Sequence, residues 1–229
     1  MPRHRGFAHD PEPIPEEYDV DLQVALDRLP LDRATGLTRA VAARTDWIEA
    51  GTSMVKQFGQ QGLREIVAAA DGTPVLADLK TADDVRFEFE MAFTAGAASV
   101  TVLGLAPDVS IDLAVQVTDE HDRELVVDLM GVCQDRVIEL ARRLPSRVRL
   151  APHVSKDAQV GGARVQDLLG DWSRGRRLAL AGGLTAQDLP GLAAEPELRV
   201  IVGSAVTRAD DPVAAVEELR RAAGKDTDA

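Results

Sequence analysis

From residue 21 onward, short aliphatic runs and longer runs of helical spacing alternate eight times, and this rhythm constrains the fold more than any other feature. Strand-like runs lie at residues 22–26, 47–48, 75–77, 99–103, 125–127, 148–150, 178–181 and 200–202. Helices are predicted over residues 31–44, 60–70, 84–95, 109–121, 134–144, 163–173 and 212–223, and Thr185 reads as an N-cap after the seventh strand. Short aliphatic strands that each lead into a helix belong to a parallel sheet covered by helices. Eight such units close most economically into a (β/α)8 TIM barrel, a fold of roughly 250 residues. A doubly wound open sheet would usually place a Gly-rich phosphate turn after its first strand, where this chain has Asp27-Arg28-Leu29-Pro30. The expected organisation is an N-terminal tail or arm over residues 1–20, a barrel over 21–224 and a short tail over 225–229.

Aromatic residues make up only 3% of the chain against 45% hydrophobic residues in all, so the core must be built from Ala, Val and Leu. The net charge of −12 argues against nucleic acid or an anionic membrane as partner. No apolar stretch is long enough to span a bilayer, and the first residues show no apolar signal core. The single Cys133 excludes an intramolecular disulfide framework and fits a reducing cytoplasm; a bland buried thiol is its expected state. His4 and His9 fall in the aperiodic first 20 residues and read as solvated tail rather than metal ligands.

The candidate chemistry centres on Ala77-Asp78-Leu79-Lys80-Thr81-Ala82-Asp83. Asp78 and Lys80 are two apart, so on an extended backbone they point the same way, and Asp83 follows a short turn at the start of the next helix. Charges of both signs at a strand's carboxyl end are costly unless paired or bound to something. A salt-bridged strand-to-helix corner would satisfy that requirement as well as a site would. The other strand ends favour a site, because Asp27, Glu49, Asp128 and His153 occupy equivalent positions and all strand ends of a barrel open onto one face. Glu49 and Asp78 end neighbouring strands and could share a hard divalent cation such as Mg²⁺, although a role for Glu49 as a partner for Lys80 fits nearly as well. Lys80 could stabilise an oxyanion or shuttle a proton, and His153 titrates in a range suited to acid–base work. At the other end of the chain, Gly182-Gly183 and Gly203-Ser204 form two turns with accessible backbone N–H groups, where barrels commonly hold phosphate.

These residues carry a family pattern. Leu22-Gln23-Val24-Ala25-Leu26-Asp27, Ile48-Glu49-Ala50-Gly51-Thr52, the Asp78-x-Lys80-x-x-Asp83 motif, Val127-Asp128-Leu129-Met130-Gly131-Val132, His153 through Gln159, Ala181-Gly182-Gly183 and Val202-Gly203-Ser204-Ala205 resemble 3-hexulose-6-phosphate synthase. The pattern is also similar to 3-keto-L-gulonate-6-phosphate decarboxylase; both belong to the orotidine monophosphate decarboxylase superfamily. The resemblance implies that Glu49 and Asp78 hold Mg²⁺ and that Asp27 and Lys80 contact substrate oxygens. It further implies that His153 is the acid–base group and that Gly183, Gly203 and Ser204 hold the phosphate of a phosphorylated ketose. It implies a homodimer in which Asp83 reaches the neighbour's site. The shared intermediate would be a cis-enediolate stabilised by Mg²⁺, formed by deprotonation of ribulose 5-phosphate in the synthase and by loss of CO₂ in the decarboxylase.

Lys156 stands where the decarboxylase carries an Arg, and Asp188-Leu189-Pro190 is also decarboxylase-like, whereas Thr81, Leu103-Gly104 and Ser204 are synthase-like. Reprotonation of an enediolate on its opposite face would instead give 3-epimerisation of a ketohexose 6-phosphate, with Lys156 or Asp83 facing His153. A sugar-phosphate-binding protein that has lost the chemistry is the non-enzyme alternative, but each of the polar strand-end residues is present.

Overall fold

A computed structural model describes residues 20–192 and 197–225; residues 1–19 of the expected tail, with His4 and His9, and residues 226–229 lie outside the described residues. Eight parallel strands close on themselves in sequence order: β1 (Asp21–Leu26), β2 (Trp47–Ala50), β3 (Val75–Thr81), β4 (Ser99–Leu103), β5 (Glu124–Asp128), β6 (Arg149–Ala151), β7 (Leu178–Ala181) and β8 (Leu198–Val202). The protein is the (β/α)8 barrel that the alternation implies.

The period-two alternation of each strand sorts its side chains into two apolar clusters. Leu22, Val24, Leu26, Ile48, Val100, Val102, Leu150, Leu180 and Val202 face outward and pack in one large buried cluster with the helices. Leu76, Val126, Ala151 and Ala179, with Trp47 and Ile201 against them, fill the lumen. Each fully buried Leu, Val or Ile contributes about 1.5–3 kcal/mol relative to exposure. Small Ala residues in the lumen make room for larger polar neighbours near the floor, where Arg199 lies 3.8 Å from the Trp47 ring centroid and is only 1% exposed.

On most sides a full helix covers the strands: α1 (Leu31–Val41), α2 (Thr52–Ala69), α3 (Val85–Thr94), α4 (Asp108–Glu120) and α5 (Gln134–Arg143). The wall after β6 is thinner, with only α6 (Lys156–Gln159) and two 3-10 turns at Val165–Leu168 and Asp171–Ser173. The helix expected over residues 163–173 is therefore absent. Gly161, Gly162, Gly170 and Gly175 interrupt this segment, and Val165 and Ser173 are the turn residues it buries, so no continuous apolar stripe favours a helix. Beyond β7, Thr185 donates from its N–H (2.9 Å) and hydroxyl (2.8 Å) to Asp188, closing a turn into a 3-10 segment at Leu189–Gly191 rather than capping an α-helix. The chain ends in α7 (Ser204–Thr207) and α8 (Pro212–Ala222), the latter capped by Asp211, which accepts from the N–H groups of Val213 and Ala214 at 3.0 Å.

Two further boundaries differ from the sequence reading. The second helix starts at Thr52, directly after β2, instead of near residue 60; Gly59 adopts φ 59°, ψ −156° and kinks it, which breaks the apolar period of its first half. The third strand runs on through the charged cluster to Thr81, and Asp84, not Asp83, precedes α3.

Candidate active site

The β3 strand does not present Asp78 and Lys80 by simple alternation. Its register against β4 shifts between Ala77 and Thr81, and Lys80 adopts φ 50°. A side chain in this left-handed region costs on the order of 1–3 kcal/mol and persists when its surroundings hold it there. Here the Lys80 N–H leaves the ladder and donates to the Thr101 hydroxyl at 2.8 Å, and that hydroxyl donates to Asp78 at 2.8 Å. The bulge lets the Lys80 ammonium contact Asp78 at 3.1 Å and also Asp128 at the end of β5. The pairing expected from spacing is formed, by a bulge rather than by a straight strand.

Asp128 joins this pair to His153. Its Oδ2 accepts from Lys80 and lies 3.1 Å from Nδ1 of His153, while Oδ1 accepts from the Met130 N–H at 2.8 Å. Burial alone would raise the Asp128 pKa, but the hydrogen bond from His153 and the charge of Lys80 outweigh it and bring it down to about 2. Burial opposes the charge on Lys80, and Asp78 and Asp128 overcome that and raise its pKa above the ordinary lysine value. Lys80 is an ammonium and Asp128 a carboxylate throughout the physiological range. His153 is held by a parallel bridge to Ala181 and by the Val154 N–H donating to the Ala181 carbonyl at 3.0 Å. This close approach requires Gly182, where a Cβ would sit 2.8 Å from Val154 Cβ.

Glu49 and Asp78 both face the mouth of the barrel from neighbouring strands, and both are 7% exposed. Burial and then the charge of Asp78 push the Glu49 carboxyl up to about 8. Thr52, in the first turn of α2, donates its hydroxyl to Asp78. Among the described residues no group of three or more His, Cys, Asp or Glu side chains encloses a metal. Two converging carboxylates, one of them raised by the other, still suit a hard cation that takes one or two protein ligands and completes its shell with water and substrate oxygens.

Asp27 ends β1 on the same face. It accepts from the Ser53 hydroxyl at 2.6 Å and from Lys156 at 3.0 Å. Burial would raise its pKa, but these two donors prevail and leave it below the ordinary value. Gly51 allows the approach, since a Cβ there would fall 2.5 Å from the Leu26 carbonyl and 2.6 Å from Asp27 Oδ1. Lys156, from α6, thus reaches across to β1. Gly182-Gly183 and Gly203-Ser204 follow the hydrogen-bonded neighbours β7 and β8, and the N–H of Gly183, at φ 73°, has no hydrogen-bond partner among the described residues. Asp83 is exposed and forms no hydrogen bond or ion pair with another site residue among the described residues.

The structure therefore gathers Asp27, Glu49, Asp78, Lys80, His153 and Lys156 at one mouth, with the glycine turns beside it, and leaves Asp83 at the rim. Sequence reasoning assigned no role to Asp128, Thr101, Thr52, Ser53 or Gln23. Asp128 was legible only as one more strand-end carboxylate, and Gln23 only as an amide within an aliphatic run; Thr101 lies two residues along β4 from Ser99, on the same inward face.

The comparisons with known proteins agree on the fold and the family. A 3-hexulose-6-phosphate synthase from Staphylococcus haemolyticus is 33% identical over 208 residues, covering 89% of this chain and 98% of the relative. The crystal structure of 3-hexulose-6-phosphate synthase from Salmonella typhimurium superposes with a TM-score of 0.81 at 32% identity, covering 89% of this chain and 98% of that one. The 3-keto-L-gulonate-6-phosphate decarboxylase from Vibrio cholerae superposes with a TM-score of 0.78 at 25% identity, covering 90% and 98%. Residues 21–219, the whole barrel with its mouth of paired charges, match one family description, and the chain belongs to that family: orotidine 5'-phosphate decarboxylase / HUMPS.

Proposed function

We propose that the protein is a Mg²⁺-dependent 3-hexulose-6-phosphate synthase, joining ribulose 5-phosphate to formaldehyde through a cis-enediolate. At the coarser level the chain is a carbon–carbon lyase, as are the relatives that it resembles at about a third identity over nearly their whole length. The observation that carries the proposal is the continuous chain Asp78–Lys80–Asp128–His153 at the barrel mouth. It sets a fixed cation and an oriented imidazole side by side at the mouth.

Each residue has a role that follows from its contacts. With Nδ1–H donated to Asp128, His153 presents the Nε2 lone pair to the mouth and takes the proton from C1 of ribulose 5-phosphate. The electron pair left behind delocalises onto the C2 oxygen, where the Lys80 ammonium stabilises the developing charge without reorganising. C1 then attacks the carbon of formaldehyde, and the new alkoxide takes up a proton as the carbonyl at C2 reforms. Asp27, held by Ser53 and Lys156, orients sugar hydroxyls. The N–H groups at Gly183 and Gly203-Ser204 receive the phosphate, with Gly182 shaping the turn. Glu49 and Asp78 would hold Mg²⁺, which when bound would supply positive charge to stabilise the enediolate.

A homodimer belongs to the same proposal. Phe87, Leu105 and Val109 are 68%, 60% and 75% exposed at the start of α3, after β4 and at the start of α4, on the rim that also carries Asp83. A second copy laid on this apolar rim would bring its own Asp83 toward the mouth.

Proton NMR in D₂O with Mg²⁺ and ribulose 5-phosphate tests the reading. Exchange at C1, and a six-carbon product when formaldehyde is added, are expected. Exchange at C3 of fructose 6-phosphate instead would mean an epimerase. Silence with both sugars, together with CO₂ release from 3-keto-L-gulonate 6-phosphate, would mean the decarboxylase that Lys156 favours.

A further inference from the structure

Gln23 is a wholly buried amide in the lumen, between the floor and the mouth. Its Nε2 donates to Oε2 of Glu49 at 2.5 Å, and its Oε1 accepts from Nη1 of Arg199 at 3.3 Å. The register explains why it reaches: Ala25, two residues further along β1 on the same inward side, pairs with Glu49, and its methyl leaves the diagonal open. Arg199 is itself pinned at the floor by Glu124 at 2.8 Å and by the Trp47 ring. Glu124 is held in turn by Arg149 at 3.2 Å and Ser99 at 3.0 Å.

The direction of this chain matters. A primary amide can turn either its oxygen or its nitrogen toward a carboxylate, and the oxygen would repel it. A guanidinium has donors only, so Arg199 commits the amide oxygen of Gln23 to the floor and its NH₂ to the mouth. Glu49 receives no other side-chain hydrogen bond among the described residues. One of its oxygens is thereby occupied and the other is left to face the mouth.

We propose that Gln23 is a positioning residue that orients the Glu49 carboxylate for the divalent cation, and that Arg199, from the opposite end of the barrel, fixes the polarity of Gln23. This rests on the reading of Glu49 as a metal ligand. Groups that hold a ligand from behind typically change metal affinity by about 10–100-fold when removed.

The test is Mn²⁺ binding to the full-length protein without substrate, followed by electron paramagnetic resonance, with thermal melting in parallel. Gln23→Met, which keeps the volume and loses the donor, is expected to weaken Mn²⁺ about 10–100-fold while the protein still melts cooperatively. Arg199→Met is expected to weaken it less, and to add nothing in the double variant, because Arg199 acts only through Gln23. If Arg199→Met does not fold, Arg199→Lys keeps a cation for Glu124 and replaces it in the cycle. Wild-type Mn²⁺ affinity in Gln23→Met, with only the melting temperature changed, would overturn the proposal and leave Gln23 as lumen filling. A full Arg199 effect on the Gln23→Met background would overturn the part assigned to Arg199. Glu49→Gln separates the two levels: wild-type affinity there removes Glu49 as a ligand and the inference with it, whereas loss there with none in Gln23→Met sinks the inference alone.

Discussion

Nδ1 of His153 lies 3.1 Å from Oδ2 of Asp128, the same oxygen that receives the ammonium of Lys80. One carboxylate oxygen therefore fixes both the tautomer of His153 and the position of the Lys80 ammonium. Replacing it should disturb both together. Asp128→Asn is expected to lower C1 proton exchange by about 10²–10⁴-fold, the range of a general base that has lost its orientation. Exchange near the wild-type rate would show that His153 is positioned by something else.

The two carboxylates proposed to hold Mg²⁺ give a sharper expectation. Glu49→Gln and Asp78→Asn should each lose most of the activity, and EDTA should abolish it in the wild type, with recovery on added Mg²⁺. Activity that survives chelation would remove the cation from the reaction.

The raised Glu49 carboxyl predicts a pH dependence of cation binding. With a folded value of about 8 against an ordinary 4.5, Glu49 is protonated at neutral pH until a cation displaces the proton. Mg²⁺ affinity should therefore rise with pH and level off above about 8, with proton release on binding near pH 7; titration calorimetry in buffers of different ionisation enthalpy measures both. The metal-free fold binds more protons than the unfolded chain between these values, so this group lowers stability as pH climbs from 4.5 through about 8. Melting curves without metal should show that decline, and Mg²⁺ should relieve it.

The Lys156–Asp27 pair separates stability from turnover. The Lys156 side chain is 52% exposed, so Lys156→Ala should change unfolding free energy by less than about 1 kcal/mol. Its effect should appear in kcat/KM for ribulose 5-phosphate, since Asp27 loses a donor that holds it. Steady-state kinetics beside chemical denaturation reads both.

The exposed rim predicts the assembly state. Sedimentation velocity should give the mass of two chains, and Phe87→Asp with Val109→Asp should shift it to one. A wild type that sediments as a single chain would place Asp83 outside the site.

The barrel was legible because the strands alternate so regularly that Leu22, Val24 and Leu26 announce an outward face, and the terminal residues Asp27, Glu49 and Asp128 mark one end. The Asp78–Lys80 pairing was legible from spacing, yet its cause was not: a two-residue offset carries no sign of the φ 50° bulge that achieves it. The start of α2 at Thr52 was hidden by Gly59, whose kink erases the period on which helix recognition depends. Asp128 was visible as a strand end, but its contacts with Lys80 and His153 join residues 48 and 25 positions apart in the chain, and no local pattern encodes them. Gln23 and Arg199 are further apart still, and only closure of β1 onto β8 brings them together.

The bulge at Lys80 also sets a limit on engineering this barrel. Idealising β3 by restoring an unbroken ladder to β4 would relieve an unfavourable backbone conformation and would be a natural choice for a thermostable scaffold. It would also return the Lys80 N–H to the sheet, release the Thr101 hydroxyl from it and swing the ammonium away from Asp128. A redesign judged by melting temperature alone would thus select for a sturdier protein with its active site taken apart.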